Sequence, residues 1–156
     1  MGRRDGLRGR GPAARRKQPC MHVQLRTSQG LAGKRKMQEE LDIIIADGIL
    51  RVSSSGPFNL HNAKTFFQEV IQRAREEGVH NILIDVCGIN TEVTTMERFG
   101  FGSYVAELSA QAFKVAFVCR EDQVWSDRFM ENVSVNRGSD VRVFTTLAEA
   151  MDWLAE

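Results

Sequence analysis

No apolar run in the chain approaches the roughly eighteen residues of a membrane span. The Met1 end also lacks the apolar stretch of a secretory signal. Both absences predict a soluble, cytoplasmic protein without a membrane span. Cysteine is scarce: Cys20, Cys87 and Cys119 are odd in number, far apart and form no C-x-x-C pair. That pattern argues against a disulfide framework or a structural zinc site and predicts buried or free thiols. Phosphate-loop frames are absent too. Gly100-Phe101-Gly102 lacks both G-x-x-x-x-G-K-[ST] and G-x-G-x-x-G, and it falls within a helical stretch, where close helix–sheet packing explains it. A net charge is almost missing as well, at +1 over 156 residues.

That cancellation conceals a separation along the chain. Residues 1–36 hold eleven Lys and Arg against the single acid Asp5, a net +10, whereas residues 37–156 hold ten bases and nineteen acids, a net −9. The basic segment also contains six Gly and two Pro, and its few apolar residues follow no regular period, so it reads as a disordered arm. Clustered Lys and Arg suit a tether to nucleic acid or an anionic membrane through counterion release. No aromatic residue is interleaved to stack on bases, and no amphipathic pattern offers a membrane face. The alternative is a passive or non-native extension, because Met37 stands just before the first regular structure. Either way the folded part, residues 37–156, has no charge-based reason to bind nucleic acid.

Leu41-Asp42-Ile43-Ile44-Ile45-Ala46 and Ile49-Leu50-Arg51-Val52-Ser53 read as two strands joined by the turn-forming pair Asp47-Gly48. Ala63, Phe66, Phe67, Val70, Ile71 and Ala74 then fall on one helix face that ends near Gly78. Asn81–Val86 and Lys114–Cys119 are short apolar runs of the kind buried on both faces of a parallel sheet. Thr94-Thr95-Met96-Glu97 has the form of a capping box, opening a helix that runs to about Ser109. A third helix is expected over Val124, Trp125, Phe129, Met130 and Val133. Val141-Arg142-Val143-Phe144 is the last strand, and Thr146-x-x-Glu149 opens the last helix. The order ββαβαβαβα predicts a single α/β domain with a mixed, mostly parallel sheet and packed helices.

Sites in open α/β sheets gather at the strand C-termini. Asp85 ends the third strand, where it could act as a base or phosphate acceptor; the plainer role is a hydrogen bond within the following loop. Cys87 could be a nucleophile if its thiol were acidified, but no His lies near it in sequence and a buried thiol is the simpler reading. A hydrolase or phosphotransferase centred on either residue lacks a base, a metal set and a phosphate loop. His61 and His80 flank the first crossover helix without metal-ligand spacing. Glu121, Asp122 and Asp127 form an acidic patch that suits the dipole of the third helix. No catalytic, metal or cofactor set is expected.

Thr94 and Thr95 stand where a short loop delivers the chain to a helix N-terminus. A phosphate on either would add roughly −1.5 to −2 charges and three acceptor oxygens there. Thr94 could instead serve only as the helix cap, with Glu97 completing the box.

From Leu41 to Glu156, about three quarters of the chain, this element order resembles the STAS domain of sulfate transporters and anti-sigma factor antagonists. In the antagonists an apolar strand is followed by a loop and an Asp-Ser-Ser-Gly motif that opens a helix, and a partner kinase phosphorylates the second Ser. Laying Ile84-Asp85-Val86 on that strand places Val93, Thr94, Thr95 and Met96 on the motif, so the modified hydroxyl corresponds to Thr95, with Val93 and Met96 replacing Asp and Gly. Asn136–Phe144 followed by Glu149–Leu154 is similar to a STAS-like bacterial branch that is also described as resembling CRAL-TRIO lipid-transfer folds.

The resemblance implies a non-enzymatic signalling module. Its partner would be a protein of anti-sigma-factor or kinase type, bound around residues 87–104 by Asp85, Cys87, Asn90, Glu97 and Arg98. The alternative is a small apolar or anionic ligand held between helix and sheet, walled by Phe99, Phe101, Tyr104 and Trp125.

Overall fold

The computed structural model describes residues 42–110, 112–124 and 128–156. The basic arm and its tether reading lie outside these residues, as do Cys20, Leu41, Trp125 and Asp127.

The chain opens with β1 (Ile44–Ala46) and β2 (Ile49–Gly56), paired antiparallel across a turn in which Asp47 and Gly48 both take positive φ, 54° and 72°. Two successive left-handed residues match the twist of the flanking strands, which is why Asp-Gly marks the turn so well. Helix α1 (Leu60–Glu77) follows, capped by Asn59, whose side chain accepts the Asn62 amide, and closed by Gly78. Then come β3 (Asn81–Ile89), α2 (Thr95–Ser109), β4 (Lys114–Val118), α3 (Phe129–Val135), β5 (Asp140–Phe144) and α4 (Leu147–Ala155). The five strands lie in sequence order, and every pair after the opening hairpin is parallel. The expected single α/β domain with a mixed, mostly parallel sheet is the architecture observed.

Three crossovers that advance across a sheet in one direction with a common hand place their helices on one face. The core divides accordingly. Leu50, Val52, Ile82, Ile84, Val115 and Phe117 face a cluster that includes Phe67, Val70 and Ile71 of α1 and Val105 of α2. The alternate residues Ile49, Leu83, Ala116 and Val118 pack under Ala150, Trp153 and Leu154 of α4. Period-two alternation along each strand thus feeds two cores.

Two expectations need correction. The third helix does not include Val124, because Arg128 adopts the left-handed region (φ 48°) and a helix cannot be carried back through it; α3 begins at Phe129, preceded by a short 3-10 turn at Glu121–Gln123. Gly102 serves helix–helix rather than helix–sheet packing. A Cβ there would lie 3.1 Å from the Met130 carbonyl oxygen and 3.2 Å from Val133 Cγ1, so its absence lets α2 approach α3 closely.

Candidate functional site

The loops that follow β2, β3 and β4 converge at the C-terminal edge of the parallel strands, on the face covered by α1, α2 and α3. Polar bonds of long sequence separation tie them together. The Phe58 amide donates to Thr91 Oγ1 at 2.8 Å, joining the first two loops. Arg120 donates to the carbonyls of Cys87 and Ile89, and its guanidinium forms a two-point pair with Asp122 at 3.0 and 3.2 Å. Gln123 Nε2 reaches the carbonyls of Val86 and Ile89 at 3.2 and 3.0 Å, while its Oε1 accepts the Arg120 amide at 2.7 Å. Arg98, from the first turns of α2, donates to Val93 O at 3.1 Å and Gln123 O at 3.3 Å. Backbone carbonyls left without a ladder at the ragged end of β3 are thereby satisfied by side chains.

Beneath these loops lies a cavity of about 450 Å³. Its floor is strand side chains, Ile84, Phe117 and Val143; its walls are Phe66 of α1, Phe101 of α2 and Met130 of α3. The rings of Phe101, Phe67 and Phe117 meet one another at 6.0 to 6.4 Å, two of the three pairs edge to face. At the rim stand Asn90, Glu92, Arg98, Arg120, Asp122 and Arg128. Arg98 is half-buried, and loss of water pushes its guanidinium below the usual arginine range, an effect partly offset by Cys119 and Glu92.

The sequence-predicted pocket walls fare unevenly. Phe101 lines the cavity, whereas Phe99 and Tyr104 do not. Phe99 is 43% exposed and lies under the Arg137 guanidinium at 5.3 Å. Tyr104 turns toward α1, where its hydroxyl donates to Gln68 and Lys64 lies over its ring. At about 100° per residue Phe99 lies roughly 160° from Phe101 and faces away from the cavity, whereas Tyr104 lies only roughly 60° from Phe101 and is held to α1 by its contacts with Gln68 and Lys64. Trp125 lies outside the described residues.

The expected partner-binding set is also divided. Glu97, Arg98 and Asn90 belong to the loop edge and α2. Cys87 packs with the α4-side core, and Asp85 alternates onto that same side of the sheet, so these two are not brought together with the others on one surface. Asp85 does not end the third strand, since β3 runs on to Ile89; its carboxylate accepts the Cys87 amide at 2.8 Å within the strand rather than in a following loop, and Cys87 is half-buried. Cys119 is buried, with Sγ directed at the Phe144 carbonyl. His80 Nδ1 bonds Ala112 O at 3.0 Å. Of the acidic patch, Asp122 pairs with Arg120 rather than capping a helix, which holds its carboxyl below the usual range. Among the described residues no cluster of His, Cys, Asp and Glu could hold a metal ion, and no helix is long and apolar enough to cross a membrane.

At the start of α2 the capping box is complete. Thr94 Oγ1 accepts the Glu97 amide at 3.3 Å and donates to Glu97 Oε2 at 2.8 Å, and the Thr94 amide donates to the same oxygen at 2.9 Å. Thr94 is thus committed to the cap. Thr95, the first helical residue, is exposed beside Met96, which is 76% exposed.

Sequence reasoning missed Arg120 and Gln123. Each is a single polar residue after a strand, and its ties to the end of β3, more than thirty positions away, leave no local pattern to read.

Compared with known proteins, the chain matches no family model and no curated protein. Among solved structures it is similar to the protein TM1081, known from an NMR structure, with 14% identity over 85% of this chain and 99% of that one and a TM-score of 0.50. At that identity the likeness speaks for the fold.

Proposed function

We propose that the protein is a non-enzymatic interaction module of the anti-sigma factor antagonist-like STAS type. It acts in the cytoplasm and binds a partner protein across the first turn of α2 and the loop before it. The observation that carries this reading is the division of labour between adjacent threonines. Thr94 is occupied by the capping box, while the exposed Thr95 hydroxyl takes no part in it. Met96 and Phe99, both exposed, supply apolar contact on the neighbouring turn. A phosphate on Thr95 would lie at the positive end of the α2 dipole and place about two negative charges beside that apolar patch. An apolar contact that forms with the hydroxyl free is then weakened by the desolvation of a charge.

The test is the intact mass of protein isolated from its native host, before and after phosphatase treatment. An 80-dalton difference, one phosphoryl group, that disappears in Thr95→Ala and persists in Thr94→Ser is expected, where ~80 reflects the added mass of the modification. No such difference under any growth condition removes the switch. Capture experiments with Thr95→Asp and Thr95→Ala then separate a switch from constitutive binding: different partner sets are expected, and identical sets would refute switching.

A further inference from the structure

We propose that the cavity under the loop edge binds one small uncharged molecule of the medium-chain alcohol class, its hydrocarbon body among Phe66, Phe101 and Phe117 and its hydroxyl toward Ser54. This inference is independent of the partner-binding reading, since the exposed Thr95–Met96 surface lies outside the cavity.

Close-packed interiors hold few voids larger than a water molecule, whereas this cavity of about 450 Å³ falls within the roughly 300–1,000 Å³ of small-molecule sites. Water against its phenylalanine and aliphatic walls finds few hydrogen-bond partners, so a hydrocarbon body gains by displacing it and supplies contacts that the walls lack. The rim decides the charge of the occupant. Its three arginines are met by three carboxylates: Asp122 pairs with Arg120 at 3.0 Å, Glu131 pairs with Arg128 at 3.5 Å, and Arg98 lies in the field of Glu92. An ion of either sign would give up water there without meeting a surplus of the opposite charge, whereas an uncharged head group loses less. One hydroxyl interrupts the apolar strand face. Alternation along β2 carries Leu50, Val52 and Ser54 to the same side of the sheet; the first two are core residues, and the half-buried Ser54 lines the cavity. A serine hydroxyl both donates and accepts a hydrogen bond, which suits an alcohol.

Calorimetric titration of the full chain at neutral pH with octanol, octanoate and octylamine compares one hydrocarbon length carrying a neutral, a negative and a positive head. A single saturable octanol site per chain is expected, about tenfold or more tighter than for either ion, the scale of an uncompensated desolvation. Ser54→Ala should weaken octanol about three- to tenfold, as the loss of one hydrogen bond does. Ala63 lines the cavity from α1, so Ala63→Leu and the larger Ala63→Phe should reduce octanol binding progressively, with the melting temperature reporting that each variant is folded. If both variants melt early, the head-group comparison and Ser54→Ala decide the question between them. No octanol binding by the parent protein, an ion bound as tightly as octanol, affinity unchanged in Ser54→Ala, or undiminished binding by a folded Ala63 variant would each overturn the assignment.

Discussion

Thr94 and Glu97 close the first turn of α2 by exchanging hydrogen bonds, and the ionised carboxylate is what accepts them. The Thr94 amide, and then its hydroxyl, hold the Glu97 carboxyl below its ordinary value of 4.5. A carboxyl depressed in the folded state contributes stability that is fully present above its unfolded value and is lost as pH falls through the folded one. Glu97→Gln preserves a capping-box residue but cannot titrate. The melting temperature of the parent should therefore exceed that of Glu97→Gln at pH 7, with the two converging below about pH 4, the ordinary carboxylate range. Parallel curves across that interval would show that Glu97 ionisation does not support the helix start. Thr94→Ala removes the cap itself and should cost about 1 kcal/mol by chemical denaturation. Thr95→Ala should cost little, because that hydroxyl takes no part in the cap.

Helix α2 is surrounded: the sheet meets Phe101 and Val105, α1 meets Tyr104, and α3 meets Gly102. Its small residues Gly102, Ala106 and Ser109 share one stripe toward α3 and the loop beyond it. There Ser134 Oγ donates to Gly102 O at 3.0 Å and Ser139 Oγ to Ala106 O at 3.2 Å. Gly102→Ala would put a methyl group 3.1 Å from a backbone oxygen, whereas Gly100→Ala meets only the end of the Leu60 side chain at 3.3 Å. Gly102→Ala is therefore expected to destabilise by about 1–3 kcal/mol through overpacking. Gly100→Ala should be neutral or stabilising by up to ~1 kcal/mol through helix propensity. Urea unfolding of both variants checks the pair, and equal effects would contradict the close α2–α3 approach.

The same surroundings explain what could be read in advance. The Asp47-Gly48 turn and the caps at Thr94 and Thr146 were legible because each is decided within four residues. The face of α2 that lines the cavity was not, since apolar residues lie all round the helix and period alone does not choose among them. The start of α3 turns on one left-handed residue, Arg128, which carries no glycine-like signal. A space between helix and sheet with Phe101 as one wall could be anticipated, but its other walls could not, because the cavity is closed by bonds such as Phe58 to Thr91 and Arg98 to Gln123, 33 and 25 residues apart.

At the scale of the molecule the two faces of the sheet are unequally covered, with α4 the one helix packed on the second face among the described residues. Trp153 anchors that face: it is 5% exposed, meets the Phe144 ring at 5.6 Å and is flanked by Lys114 and Arg142 at 4.5 and 5.2 Å. Its replacement by Ala should cost about 3–5 kcal/mol and leave Leu83 and Val118 partly open to water. Charge divides the molecule along a different line. Residues 37–156 carry −9, so affinity for a phosphate backbone is expected to come from the +10 of residues 1–36. Binding of the full chain to duplex DNA should weaken steeply with added salt. A chain beginning at Met37 should show none at the same ionic strength, as fluorescence anisotropy with a labelled duplex would report. Retained affinity in the shortened chain would mean that the rim arginines, Arg98, Arg120 and Arg128, present a positive surface despite the acids around them, and the division of charge drawn from the sequence would fail with it.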